Sequence, residues 1–421
     1  MPSDSLIGLL PLVCRLCGEK RGPAPTSICS NCLGPLEVDY QSADRRPTRA
    51  AIEERPRSLW RYREFLPIVG DPVVSLDTGF TPLVESPRLA TRLGVARLWI
   101  KNDAVSHPSL SFKDRVVATA LNAAVALGIR TVGCASTGNL ANAVASQAAR
   151  AGLESWIFVP HDLELGKIVG TSVYGARLVR IQGTYDDVNR LCVQLADEYN
   201  WGLVNVNLRS YYGEGSKTMA YEIVEQLNWR LPTAVVVPMA GGSLITKLNK
   251  GFHDVLRAEL VEGEAPRLYG AQAQGCSPIV DLVERGEDQI RPVIPKTIAR
   301  SIAIGNPADG LFAAAAIRES HGWAVGVTDP ELVAGIKLLA QTTGIFTETA
   351  GGATLAAALS LAQSGRFKPD DEVVLCITGN GLKTVEALDG ALSTSPVIPA
   401  RLREVAPLVT SAQPSSAVLA Q

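Results

Sequence analysis

Charge of one sign, long apolar runs and aromatic side chains are all scarce in this 421-residue chain. Lys and Arg number 40 against 42 Asp and Glu, a net charge of 40 − 42 = −2, so there is no basic excess to track a nucleic-acid backbone. Charged residues make up 19%, below the roughly 25% typical of soluble domains. The longest apolar run near the start, Leu6 to Val13, falls well short of the ~18 residues a membrane span needs, and no Lys or Arg precedes it. Neither a signal peptide nor a membrane anchor is expected, and Val13 is too bulky for a lipoprotein-type cleavage before Cys14. These absences point to the cytoplasm, with no membrane partner. Aromatics are only 5% of a chain that is 46% hydrophobic, mostly Ala, Val and Leu, as helices packed on buried strands require.

What the chain does have is a clustered set of cysteines. Eight in this length are too few for a dense disulfide framework, and Cys134, Cys192, Cys276 and Cys376 lie scattered in apolar segments as small buried hydrophobes. The other four read Cys14-x2-Cys17-x11-Cys29-x2-Cys32, two knuckles able to place four thiolates around one structural Zn²⁺. A pair of disulfides is the alternative, disfavoured by a reducing compartment. With an x11 spacer, a small ribbon and a brief hairpin are implied. Few basic residues lie between Cys14 and Tyr40, so nucleic acid is a poor partner for it.

Beyond a charged, Pro-containing stretch from Asp44 to Arg57, strand and helix patterns alternate to about Leu392, the mark of a mostly parallel α/β architecture. Strands are expected at Arg97–Ile100, Thr131–Ala135, Ser155–Val159, Leu178–Ile181, Thr233–Pro238 and Glu372–Thr378, with Ala-rich helices such as Val116–Leu127 and Ala141–Ala151 between some of them. After Ala400 no sustained periodicity remains, and the tail is expected to be disordered. In such sheets chemistry gathers beyond the carboxyl ends of strands.

Four loops there stand out. Ser109-Leu110-Ser111-Phe112-Lys113-Asp114-Arg115 opens a helix with a lysine whose charged form the positive helix end disfavours, which suits a Schiff-base lysine; taken alone, an ordinary solvated helix-start lysine is the safer reading. Ser136-Thr137-Gly138-Asn139 offers hydroxyls, an amide and free N–H groups for a carboxylate, or plain N-capping. Ala240-Gly241-Gly242-Ser243-Leu244 follows an apolar strand and lets backbone close on a phosphate. Thr378, in Thr378-Gly379-Asn380-Gly381-Leu382-Lys383, ends a late strand where a hydroxyl can meet a ring nitrogen. A lysine, an anion cradle, a phosphate loop and a strand-end threonine together describe a pocket for pyridoxal 5'-phosphate.

Those segments, with Asp77-Thr78-Gly79-Phe80-Thr81-Pro82-Leu83 and Gly213-Glu214-Gly215-Ser216-Lys217-Thr218, resemble the threonine synthase family from about Cys14 to Leu388. The resemblance implies an α/β, two-domain fold type II architecture of the tryptophan-synthase-β kind. A tail (1–13) and a zinc-ribbon-like segment (14–45) would precede a large domain (46–109 and 206–400), a small one (110–205) and a C-terminal tail (401–421). It implies a homodimer that acts on a small amino-acid substrate, converting O-phospho-L-homoserine and water to L-threonine and phosphate. Lys113 would carry the cofactor and move protons; Asn139 would meet the ring hydroxyl, Ala240 to Leu244 the cofactor phosphate, and Thr378 the ring nitrogen. Ser136 and Thr137 would hold the substrate carboxylate. For the substrate phosphate, Asn207 and Arg209 are the candidates, since a guanidinium fork suits phosphate, while a surface ion pair is the plainer role for Arg209. Where the family often reads Asn-Pro-Thr-x-Ser-Phe-Lys-Asp, this chain has His107-Pro108-Ser109-Leu110-Ser111-Phe112-Lys113-Asp114, and Leu140 replaces a hydroxyl found in some relatives. A related lyase that eliminates or replaces at Cβ of serine, threonine or phosphoserine is the competing reading.

Overall fold

A computed structural model describes residues 7–42, 46–75, 77–136, 138–161, 165–182, 185–393 and 395–411. The chain begins with β1 (Gly8–Leu9), which returns antiparallel to β5 (Ile68–Val69). Between them β2 (Leu12–Cys14), β3 (Lys20–Arg21) and β4 (Leu36–Val38) form a small antiparallel sheet in the order β3-β2-β4. Its inward residues, Leu12, Cys14, Leu36 and Val38, alternate with partly exposed ones, the period of a sheet covered on one face.

Two larger sheets follow. One takes β8 (Thr131–Ala135), β9 (Glu154–Pro160), β10 (Arg177–Ile181) and β11 (Gly202–Leu203), all parallel, in the order β10-β9-β8-β11. The other is assembled from both sides of that stretch. β6 (Leu83–Glu85) and β7 (Arg97–Asn102) precede it, and β12 (Ala234–Pro238), β13 (Arg267–Ala273), β14 (Trp323–Val327) and β15 (Glu372–Ile377) follow it. Its order is β14-β13-β12-β15-β7-β6, with β6 alone antiparallel. Every residue of β12 and β15 is buried, as strands covered by helices on both faces must be. All six expected strands form, within a residue or two of their expected ends.

In the two larger sheets four strands were not legible: β6, β11, β13 and β14. β13 reads Arg-Leu-Tyr-Gly-Ala-Gln-Ala because Met239 and Ile317 press on it; a Cβ at Gly270 would sit 2.3 Å from Met239 Cε. Small side chains there serve packing and hide the strand signal. The tail differs from expectation in its first part, where Leu402–Ser411 is a helix with Leu402 and Val409 largely exposed. Residues 412–421 lie outside the described residues. No described helix is long and apolar enough to cross a membrane.

Two Ala-rich helices position the site. Lys113–Ala126 is buried from Asp114 through Ala124, so its polar residues must all find partners inside the protein. Asn139–Ala151 lies against it and stops at Gly152 in the left-handed conformation.

Candidate active site

The loops that carry Lys113 and Thr378 are joined by backbone. Phe112 N donates to Thr378 O at 2.8 Å, Asn380 N donates to Leu110 O at 3.2 Å, and Ser111 bridges Gly379. Lys113 is half-buried, with its Nζ 5.2 Å from the Phe112 ring centre and 5.9 Å from that of Tyr212. Among the described residues it has no hydrogen-bond or ion-pair partner, and the buried Ser111 Oγ has none either. A reactive amine beside an unspent hydroxyl fits a bound group that both would touch.

The neighbours of Lys113 hold its helix start rigidly. Asp114 accepts from Ser109 N at 3.0 Å and Ser111 N at 3.4 Å, and its carbonyl accepts from Gln147 Nε2 at 2.9 Å, which ties the two positioning helices together. Burial pushes Asp114 up to about 6, against the pull of these donors and of Lys383. Arg115 is fully buried: Nε lies 2.6 Å from Asp103 Oδ2, and Nη1 and Nη2 grip Glu222, which also takes Lys101 at 2.6 Å. Burial opposes the Glu222 charge, but Arg115 and Lys101 outweigh it and hold the carboxyl down at about 2.

In the anion cradle, Gly138 N donates to Ser136 Oγ at 3.3 Å, while Thr137 lies outside the described residues. Asn139 opens its helix with an orientation set by charge: its Nδ2 donates to both oxygens of Glu348, at 3.0 and 2.9 Å, and its Oδ1 accepts from Lys383 Nζ at 3.1 Å. Reversing the amide would face like against like. Burial lowers Lys383, with Glu348 and Asp114 opposing. Neither Glu348 nor a role for Lys383 was read from the sequence; the signal was a lone acid between Thr347 and Thr349, just before an Ala- and Leu-rich helix, and a lysine closing the Thr378 loop.

Gly242 sits at φ +90°, and a Cβ there would lie 2.8 Å from Asp309 O. Only glycine allows that turn, which presents the first N–H groups of the helix Ser243–Arg257. A Cβ on Gly241 would meet only Ile304, at 3.7 Å, so that face of the loop is open, while the Gly241 carbonyl accepts from Asp309 N at 3.0 Å. Such a cradle fits a phosphate.

Arg209 takes the plainer of its two expected roles here: its Nη2 lies 2.6 Å from Asp309 Oδ2, next to that loop. Asn207 spends its amide locally, accepting from Leu203 N at 2.8 Å and donating to Trp201 O at 2.9 Å. It shapes the turn that carries Arg209. His107 Nε2 is 3.4 Å from Asp77, which also pairs with Arg150, and Leu140 packs into the core.

The four ribbon cysteines converge. Their sulfurs all lie within 4.8 Å of one another, Cys14 to Cys32 at 3.4 Å and Cys17 to Cys29 at 3.8 Å, and none is in a disulfide. Backbone N–H groups of Leu16, Asn31 and Gly34 each point at a sulfur at 3.4 Å. The N–H groups of Cys17 and Leu16 bring Cys14 down to about 6; at Cys32 the Gly34 N–H pulls the same way, but the neighbouring sulfurs drive it up to about 12. Four thiolates in this space need a cation, and Zn–S bonds of about 2.3 Å would suit the spacing.

Residues 74–379 match the pyridoxal-phosphate dependent enzyme family. The threonine synthase of Methanocaldococcus jannaschii is 36% identical over 379 residues, 89% of this chain and 93% of that one. The threonine synthase of Synechocystis sp. is 38% identical over 327 residues, 76% of this chain and 82% of its own, and that of Mycobacterium tuberculosis 35% over 357, 83% and 95%. Maize serine racemase shares the fold with a TM-score of 0.63 at 20% identity, over 82% of this chain and 100% of that one. Diaminopropionate ammonia lyase of Escherichia coli does so at 0.65 and 18%, over 81% and 91%. These two show the α/β fold type II alone. Matched along most of its length, and with a lysine, an anion cradle and a phosphate-sized turn at its strand ends, the chain belongs to the pyridoxal-phosphate dependent enzyme family, in its threonine synthase branch.

Proposed function

We propose that this protein converts O-phospho-L-homoserine and water to L-threonine and phosphate, using pyridoxal 5'-phosphate held at Lys113. The observation that carries the reading is the joining of the loops that carry Lys113 and Thr378 through backbone hydrogen bonds, beside an Asn139 locked by Glu348 and Lys383. Bound cofactor supplies an electron sink next to the substrate Cα. Lys113 Nζ would hold it and would move the proton at the substrate Cα. Asn139 would meet the ring hydroxyl, Ala240 to Leu244 would hold the cofactor phosphate, and Thr378, a neutral partner, would meet the ring nitrogen without forcing a proton on it. Ser136 and Thr137 receive the substrate carboxylate. Arg209 receives the substrate phosphate in exchange for Asp309, while Asn207 keeps its turn in place.

The small domain comprises residues 110–205 and the large one 46–109 with 206–400, the site lying between them. Cys14, Cys17, Cys29 and Cys32 hold a structural zinc ion, in a cytoplasmic homodimer. The test is phosphate release and product analysis with purified, cofactor-loaded protein. Threonine and phosphate in equal amounts from O-phospho-L-homoserine support the reading. A 2-oxo acid from serine or threonine, with O-phospho-L-homoserine inert, overturns it in favour of the related lyase. The Lys113→Ala variant is expected to lose the absorbance of the protein-linked cofactor.

A further inference from the structure

The ribbon does not stand apart from the catalytic half of the molecule. Ser27 Oγ donates to Val206 O at 2.8 Å, Ser210 Oγ donates to Leu36 O at 2.9 Å with Thr26 O at 3.3 Å, and Ala24 N donates to Tyr211 OH at 3.2 Å. All four contacts fall on one short stretch, Val206 to Tyr211, which leads into the helical turn Arg209–Tyr212. That turn opens a helical run continuing through Gly213–Ser216 into Lys217–Gln226, and as its first turn, where the helix frays, it depends for its place on what touches it. The same turn points Arg209 at Asp309 and brings Tyr212 beside Lys113. Tyr40 OH extends the attachment, donating to the buried Glu214 at 2.8 Å.

On the ribbon side the bracing residues are joined to the cysteine cluster. Leu36 N donates to Ser27 O at 2.9 Å, Cys29 N donates to Gly34 O at 2.8 Å, and Cys14 pairs with Leu36 across the small sheet. Ser27 and Leu36 thus flank the loop that carries Cys29 and Cys32. Whatever ties Cys14 and Cys17 to Cys29 and Cys32 also fixes the two groups that grip the Arg209 turn.

We infer that the four-cysteine ribbon is a brace for the substrate-binding turn Val206–Tyr212, with Ser27, Ser210 and Tyr211 as positioning residues, so that the metal state of the ribbon sets how well Arg209 and Tyr212 are placed. The inference rests on the proposed seat of the substrate phosphate at Arg209. It separates the ribbon from a merely stabilising appendage, because it acts on one segment through named hydrogen bonds.

The experiment uses full-length, cofactor-loaded protein. In Ser27→Ala and Ser210→Ala, amide hydrogen exchange over 206–213 is expected to speed up by about tenfold, since a local opening loses one of its buried hydrogen bonds. KM for O-phospho-L-homoserine should rise several-fold while kcat and the cofactor absorbance stay near parent values, and Ser27→Thr should restore the parent behaviour. Stripping the metal with a chelator should reproduce the exchange effect, and zinc should reverse it. Parent-like exchange and KM in both alanine variants, with only a lowered Tm, overturns the brace. Exchange is read without substrate, so it decides the brace even if O-phospho-L-homoserine proves inert. An Arg209→Met variant with unchanged KM would remove the phosphate seat and leave the exchange result standing.

Discussion

At the scale of single residues, three consecutive positions do three different things. Lys113 is left without a hydrogen-bond or ion-pair partner among the described residues, Asp114 is buried with its pKa raised, and Arg115 is buried in a full set of counter-charges. Asp114 has a testable sign. Its folded value, about 6, lies above the ordinary 3.8, so between those values the unfolded chain gives up a proton that the folded chain keeps, and stability falls as pH rises. Asp114→Asn should cancel that fall: urea unfolding at pH 4.5 and 7 should show the variant gaining roughly 2 kcal/mol on the parent across the interval. Parallel stabilities would show that the carboxyl is ionised throughout. Lys113, Asn139 and Thr378 could be read as a set because each sits at a strand or helix end. Glu348 could not, since its partner Asn139 is distant in sequence and only folding brings them to 3 Å. Asn207 was read for its chemistry, and the fold spends that chemistry on a turn.

At the scale of elements, the close approach of the lysine helix to the short turn Gly213–Ser216 depends on one missing methyl group. A Cβ on Gly215 would lie 2.4 Å from Arg115 O and 2.7 Å from Thr119 Oγ1. Gly215→Ala should therefore cost at least 1–3 kcal/mol by overpacking, seen as a lowered urea midpoint with unchanged slope. A neutral result would mean that the turn moves away freely. The long apolar strands β12 and β15 were plain in the sequence because burial on both faces demands Val, Ile and Leu. Strands as short as β6 and β11 carry too few residues to show a period, and β13 trades its β-formers for small residues beneath Met239. The helix Leu402–Ser411 was missed because Pro407 interrupts its pattern.

At the scale of the whole molecule, Glu222 joins β7, through Lys101, to the lysine helix, through Arg115. Glu222→Gln leaves two buried cations with Asp103 alone and should destabilise the protein by about 3–5 kcal/mol in urea unfolding. Its charge titrates near 2 in the fold against an ordinary 4.5, so the stabilisation is whole above pH 4.5 and is lost as pH falls toward 2. A loss below 1 kcal/mol would show that water relieves the imbalance. The strand order has a consequence of another kind. β15, nearly the last structured piece of the chain, lies in the middle of the large sheet, between β12 and β7. Until the ribosome has delivered it, two half-sheets present bare apolar edges to each other, a wait on the order of 10–30 s at about 5–20 residues per second. The nascent chain is thus a client for factors that shield strand edges, and a message cut short before Glu372 yields material prone to aggregate instead of a partly active enzyme.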